Sequence, residues 1–300
     1  MQLPGREPVN TTPPLFVQQF GSAGPVIVLL HGLGASGRLW RPVAERLGVP
    51  ARLLCPDLLG FGRSPRPAAA YSLSDHLTAL DAMLDHLDLG PAPVLVGGTS
   101  VGAILALEWA AARPQRFSAV ALSALPVYRS LADAQATIAS LDLLAWATVA
   151  HPGLGELICG VMCTTRPLLQ KVMPLLTPGV PADIARDFVL HDWVSYANTI
   201  RNVLLDHRVQ PSVERLAQHG LPVRLLHGAQ DRTAPLAPIQ ELAAWTGWPL
   251  TVLPRRGHRV VLDEPEACAA ELWRVLHSSA AFAGASGVND HEHLPGNSAD

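Results

Sequence analysis

Val94-Leu95-Val96-Gly97-Gly98-Thr99-Ser100-Val101-Gly102-Ala103-Ile104-Leu105-Ala106-Leu107 changes character at its centre. The opening residues are apolar without alternation, as in a strand buried on both faces of a sheet. The closing residues are rich in Ala and Leu, both strong helix formers. Between them Gly98 and Gly102 flank Ser100 at minus two and plus two. In this G-x-S-x-G arrangement, small neighbours let a strained strand-to-helix turn hold a serine hydroxyl at the edge of the sheet. With 24 Gly and 16 Ser in 300 residues the bare pattern arises by chance about 0.1 times, so its placement between strand and helix carries the reading.

Outward from this turn, short apolar runs alternate with stretches of helical periodicity. Strands are expected at 15–20, 26–31, 52–55, 93–98, 118–123, 223–227 and 250–253. The fold class is α/β, with a mostly parallel central sheet flanked by helices. Ser36 is expected to cap a helix reaching about Leu47, and Ser74 one from Asp75 to about Leu89 closed by Gly90-Pro91. The last core helix is expected from about Glu266 to His277. From Pro126 to Arg208 no strand is expected, and helical pieces break at Pro152, Pro167, Pro174, Pro178 and Pro181. Residues 131–180 hold only five charged residues, 10% against 16% for the chain. Residues 126–208 are thus expected to form an inserted helical cap over a core of 15–125 and 209–282, enclosing an apolar pocket. Residues 1–14 and 283–300 are polar, with little to bury, and are expected to be loose.

Composition narrows the function. The formal charge is −3 with no basic block, so the footprint of a nucleic-acid binder is missing. Cys55, Cys159, Cys163 and Cys268 form no CxxC pair, which fits reduced thiols and a cytoplasmic location. Cys159 and Cys163 share a helix spacing near His151, but buried inert thiols fit better than zinc ligands. The N-terminus lacks the apolar run of a signal peptide, and no apolar run reaches the roughly 18 residues of a membrane span. Of the 22 basic residues only Lys171 is Lys, the bias of a GC-rich bacterial genome. Nothing in the sequence sets the oligomeric state.

A serine hydroxyl needs a base, and the base needs an orienting carboxylate. Both follow in chain order. Asp231 comes just after the expected strand at 223–227, and His258 just after the one at 250–253. All three groups are thus expected at C-terminal ends of parallel strands. Asp231 also suits a turn-capping role and His258 a surface loop, but the three together favour chemistry. The negative oxygen of acyl transfer needs backbone donors, and Leu33 N–H in His31-Gly32-Leu33-Gly34 with Val101 N–H is the expected pair. His31 is expected to tie its loop. No metal or nucleotide-binding motif is present and no cofactor is expected; the glycines at 97–102 belong to the turn rather than to a phosphate loop.

These motifs resemble the α/β-hydrolase superfamily across residues 15–280: HGLG at 31–34, Asp57-Leu58-Leu59-Gly60-Phe61-Gly62-Arg63-Ser64, GTSVG at 98–102, HGAQD at 227–231 and GHRVVLDEP at 257–265. The resemblance implies that Asp57, Asp263 and Glu264 are scaffold rather than catalytic acids. Haloalkane dehalogenases and epoxide hydrolases of this fold attack through an aspartate, whereas position 100 is Ser, so their chemistry is not expected. The chain also resembles carbon–carbon bond hydrolases of the meta-cleavage-product type, which share Ser, Asp and His under a helical cap. Those commonly have Trp after the catalytic His, Asn before the serine and a cap Arg for a substrate carboxylate. Here Arg259 follows His258, Thr99 precedes Ser100, and Arg186 is the candidate cap arginine. The reading is a serine hydrolase cleaving an ester, thioester or lactone of a largely apolar small molecule through an acyl-enzyme. A carbon–carbon hydrolase, or a non-hydrolytic cyclase or ligand-sensing member of the fold, is the alternative. Trp146, Ile158, Met162 and Trp193 are the cap residues expected to face the pocket, and charged substrates are expected to be poor.

Overall fold

The computed structural model describes residues 14–278, apart from 88, 90–93, 142 and 206–207. The expected loose ends, save Pro14, and the Gly90-Pro91 helix stop lie outside the described residues. Seven strands form one sheet: β1 (Val17–Phe20), β2 (Val26–Leu30), β3 (Arg52–Pro56), β4 (Val94–Thr99), β5 (Phe117–Ser123), β6 (Val223–Gly228) and β7 (Leu250–Leu253), in the order β1-β3-β2-β4-β5-β6-β7. β1 runs antiparallel to β3 at one edge and every other pairing is parallel. All seven expected strands are present, with bounds shifted by at most two residues.

The unbroken apolar runs follow from burial on both faces. Successive side chains alternate sides: Val28, Leu30, Leu54 and Val96 enter one core and Ile27, Leu29, Leu53 and Leu95 the other. α1 (Arg41–Ala44) packs on the second face. α2 (Leu73–Leu87) and α3 (Val101–Ala112) cover the first, and α3 buries every residue from Val101 to Ala111. After β5 come α4 (Leu131–Ala139), α5 (Leu143–Ala150), α6 (Pro152–Thr164), α7 (Arg166–Leu176), α8 (Ala182–Asp187), α9 (Trp193–Thr199) and a π-helical turn at Ile200–Leu205, with no strand among the described residues before β6. α10 (Gln210–His219) and α11 (Leu236–Thr246) return to the first face. α12 (Val260–Asp263) and α13 (Pro265–Ser278) close the second.

Three helix details differ from expectation. Ser36 precedes a short 3-10 turn, Gly37–Trp40, that runs into α1, so the helix stops at Ala44 instead of Leu47. Its hydroxyl does not cap that turn; it donates to Asp187 Oδ2 (2.7 Å), and the Gly37 amide is taken by Asp57 Oδ1 (2.7 Å). α2 begins two residues earlier than expected, because Ser72 rather than Ser74 forms the start: its hydroxyl accepts from the Asp75 amide (3.2 Å) while Asp75 Oδ2 accepts from the Ser72 amide (3.0 Å). Pro174 stays inside α7, two residues before its end, at the cost of one backbone bond.

The segment after β5 is tied to the sheet's loops by charge. Arg63 bridges buried Asp57 (3.1 Å) and buried Asp187 (2.9 Å), and Arg41 pairs with Asp183 through its Nη1 and Nη2. Asp57 is therefore a loop anchor, as the resemblance implies. Among the described residues no helix is long and apolar enough to cross a membrane.

Candidate active site

β2 and β4 are neighbours, with Leu30 paired to Gly98, while the chain leaves β2 for β3 on the other side. At this switch point the loops leaving adjacent parallel strands diverge and a crevice opens at their C-terminal ends. The loop after β2 and the turn after β4 meet there. Ser100 adopts φ +57° and ψ −125°, a conformation costly for a residue with a Cβ. The turn is held by Ser100 N–H donating to Ser123 O (3.1 Å) and by Ala103 N–H donating to Ser100 O (2.9 Å). It closes only with glycine at both flanks: a Cβ on Gly98 would lie 2.1 Å from Gly102 O, and one on Gly102 would lie 2.3 Å from Leu30 O.

Ser100 Oγ lies 2.8 Å from His258 Nε2, and His258 Nδ1 lies 2.8 Å from Asp231 Oδ2. An ionised carboxylate only accepts, so Nδ1 carries the proton and Nε2 is free to accept from the serine. Asp231 reaches this position from the loop after β6, and its Oδ1 accepts from the amides of Thr233 and Ala234 (2.8 Å each). Burial alone would push its carboxyl up; the bond to and charge of His258, with the Ala234 amide, outweigh that and hold it below the ordinary carboxylate range. Burial pushes His227, beside Asp231, downward, so it stays neutral and its Nε2–H donates to Ala234 O (2.7 Å), steadying the loop.

Burial also pushes His31 down. Leu58 N–H donates to its Nε2 (2.9 Å), which leaves Nδ1–H to donate to Gly32 O (2.7 Å). It therefore ties two loops together, and both its nitrogens are engaged away from Ser100. Leu33 and Val101 both line the cavity over Ser100. Val101 opens α3, where the first amides have no carbonyl one turn back. Among the described residues neither the Leu33 nor the Val101 amide donates a hydrogen bond.

The cavity holds about 400 Å³. Ser100 and His258 share its wall with apolar groups from two sources, Leu33 of the loop after β2 with Val261 of α12, and Ile138, Ala145, Phe188 and Ile200 of the segment after β5. The expected pocket residues are elsewhere. Trp146 stacks edge-on against His151 (4.7 Å) at a separate open cleft. Trp193 is packed on Gly155, with Arg201 over its ring (5.9 Å). Ile158 and Met162 lie on α6, which packs on α5 and α9 and lends no residue to the cavity wall. Arg186 is exposed and outside the cavity, while its neighbours Asp183 and Asp187 face the loops. Phe188, Tyr196 and Ile200 line the cavity instead, and no periodicity in the sequence marks them. Arg259, noted only as a departure from a relative's pattern, lines it too.

Among the described residues no group of three or more His, Cys, Asp or Glu side chains is arranged to hold a metal ion. All four cysteines are free, and burial first, with Cys163 adding, pushes the Cys159 thiol up to about 12, which makes it a poor ligand and nucleophile.

The sequence model described as the alpha/beta hydrolase family matches residues 27–271. The chain belongs to this family. It is 36% identical to a haloalkane dehalogenase of Agrobacterium fabrum over 173 residues, covering 55% of this chain and 52% of that protein. It is 43% identical to the lipase LipV of Mycobacterium tuberculosis over 110 residues, covering 36% and 40%. The chain thus spans about half or less of the length of these curated relatives. Among solved structures it is similar to the enol-lactonase of Burkholderia xenovorans LB400 (TM-score 0.66, 20% identity, 87% of this chain and 96% of that one). It is likewise similar to a haloalkane dehalogenase of Bradyrhizobium elkani USDA94 (TM-score 0.67, 23% identity, 90% and 95%). At these identities the structures speak for the fold. Family model and relatives together place the chain in the alpha/beta hydrolase family.

Proposed function

We propose that the protein is a serine hydrolase that cleaves carboxylic esters, thioesters or lactones through an acyl-enzyme. The observation that carries this reading is the unbroken chain Ser100 Oγ, His258, Asp231, with both links at 2.8 Å. His258 Nε2 takes the serine proton as Oγ attacks the acyl carbon, and the resulting imidazolium is stabilised by Asp231 at Nδ1. The proton then passes to the leaving group, and a water activated by the same imidazole releases the acid. The Leu33 and Val101 amides receive the oxyanion. The helices after β5, residues 126–208, act as a cap that supplies the apolar wall.

Dehalogenation is disfavoured by the same atom that favours acyl transfer. A serine alkoxide displacing halide would leave a stable ether, whereas an acyl-serine ester hydrolyses. The cap arginine expected for the carbon–carbon hydrolase alternative, Arg186, stands outside the cavity, so that reading would have to rest on Arg259 of the core instead. Free, mostly buried cysteines fit a reducing, cytoplasmic setting.

The test is intact-protein mass after a fluorophosphonate probe, paired with release of p-nitrophenol from esters of increasing chain length. One adduct on the wild type, none on Ser100→Ala, and turnover lost with it are expected. Labelling that persists in Ser100→Ala places the nucleophile elsewhere, and labelling without turnover of any ester favours the non-hydrolytic alternative.

A further inference from the structure

Among the described residues that line the cavity none is acidic and one, Arg259, carries a permanent charge. It follows His258 directly, so its Cα lies about 3.8 Å from that of His258. The Arg259 side chain is half exposed, so the guanidinium is free to exchange its partner for an anion that enters the cavity. Arg259 Nη2 is met by Asp263 Oδ1 at 3.1 Å, one turn on, with the side chains half exposed and about a quarter exposed. Exposed pairs of this kind contribute about 0–1 kcal/mol, so a second carboxylate can take the place of Asp263 at little cost. The surroundings point the same way. The loops bearing Asp231 and His258 also carry Arg232, Arg255 and Arg256, all exposed. Arg256 is paired with Glu264, while Arg232 and Arg255 have no ion pair among the described residues. Unpaired positive charges on the loops that bear Asp231 and His258 favour anions nearby.

We propose that Arg259 is a carboxylate-binding residue of the cavity, so that the preferred substrates are apolar esters, thioesters or lactones bearing a free carboxylate. This rests on the acyl-hydrolase reading of Ser100 and narrows it. It also reverses, for anions, the expectation that charged substrates are poor. Asp263 holds the guanidinium in place when the site is empty and yields it when the substrate arrives.

Two ester pairs test it, each matching a carboxylate with an isopropyl group of the same shape. Mono-p-nitrophenyl adipate against p-nitrophenyl 6-methylheptanoate places the charge on the acyl side. The hexanoate esters of 3-hydroxybenzoate and of 3-isopropylphenol place it on the leaving group. In at least one pair the wild type is expected to favour the anion in kcat/KM. Arg259→Gln is expected to lower that preference about ten- to a hundredfold, mainly through KM. Asp263→Asn is expected to raise it, added salt to weaken it, and Arg186→Gln to leave it unchanged. No preference for the anion in either pair, or one that survives Arg259→Gln, overturns the proposal. The binding step is tested apart from the chemistry by titrating monomethyl adipate into Ser100→Ala and into Ser100→Ala with Arg259→Gln. Binding lost with Arg259 supports the site even if no ester is turned over, in which case the hydrolase reading alone fails. Equal binding, or none, to both proteins refutes the site.

Discussion

Ser100 is held at a backbone conformation that a side chain makes costly, and the turn keeps it there because the hydroxyl must face His258. Such strain is worth about 1–3 kcal/mol, against about 0.5–1 kcal/mol for the extra freedom glycine gains on unfolding. Ser100→Gly is therefore expected to melt at a higher temperature than the wild type while losing all activity. A lower melting temperature would show that the turn is unstrained. Asp231 plays a different part. Its Oδ2 fixes the imidazole proton on Nδ1, and an amide in its place presents N–H to that atom and favours the wrong tautomer. Asp231→Asn is expected to lower kcat about 10³- to 10⁴-fold, and activity within tenfold of wild type would remove Asp231 from the proposed triad.

At the scale of elements, the start of α2 and the seam between the loops and the α8 helix show what sequence rules can resolve. Ser72 and Ser74 are equally good caps by residue type; only the reciprocal bonds with Asp75 show that Ser72 is used. Ser72→Ala is expected to destabilise by about 1 kcal/mol in urea unfolding and Ser74→Ala by much less, and equal losses would refute the assignment. The Ser36 hydroxyl and the Arg63 guanidinium converge on Asp187, which is 3% exposed. Asp187→Ala leaves the buried Ser36 hydroxyl without its acceptor while exposed Arg63 keeps Asp57, so a loss of about 1–3 kcal/mol is expected. The seven strands needed no such contacts to be read. Each is a short apolar run whose two-sided burial is written in its own residues, whereas a bond between positions 36 and 187 depends on how distant segments meet.

Across the whole molecule, buried histidines make stability depend on pH. His76 is lowered to about 4 by burial, offset in part by Asp75 and aided by His31. His191 is lowered to about 4 by burial and by Arg166 and Arg66, against Asp192 and a bond to the Phe188 backbone. In the unfolded chain each titrates near 6.5, so between about pH 6.5 and 4 only the unfolded state binds the proton. Their contribution is full above that window and is lost as pH falls through it. His191 stacks on Tyr196 (4.9 Å) of the cavity wall and approaches Phe61 (6.2 Å) of the loop after β3. His191→Phe keeps the stack without the proton. It is expected to flatten the fall in unfolding free energy, read from urea melts, from pH 7 to 5, by up to about 1.4 kcal/mol per pH unit, and an unchanged slope would exclude His191 from the acid response. The sequence by itself determined the order of strands along the chain, the glycine-flanked turn and the order Ser100, Asp231, His258, because each is encoded within a few neighbouring residues. Only the tertiary structure decided that Phe188, Tyr196 and Ile200 line the cavity rather than Trp146 and Trp193, and that Arg259 rather than Arg186 is among the lining residues. The helices after β5 are apolar on more than one face, leaving Leu157 and Val161 of α6 in solvent, so hydrophobicity there does not say which side turns inward; packing on the sheet's loops does.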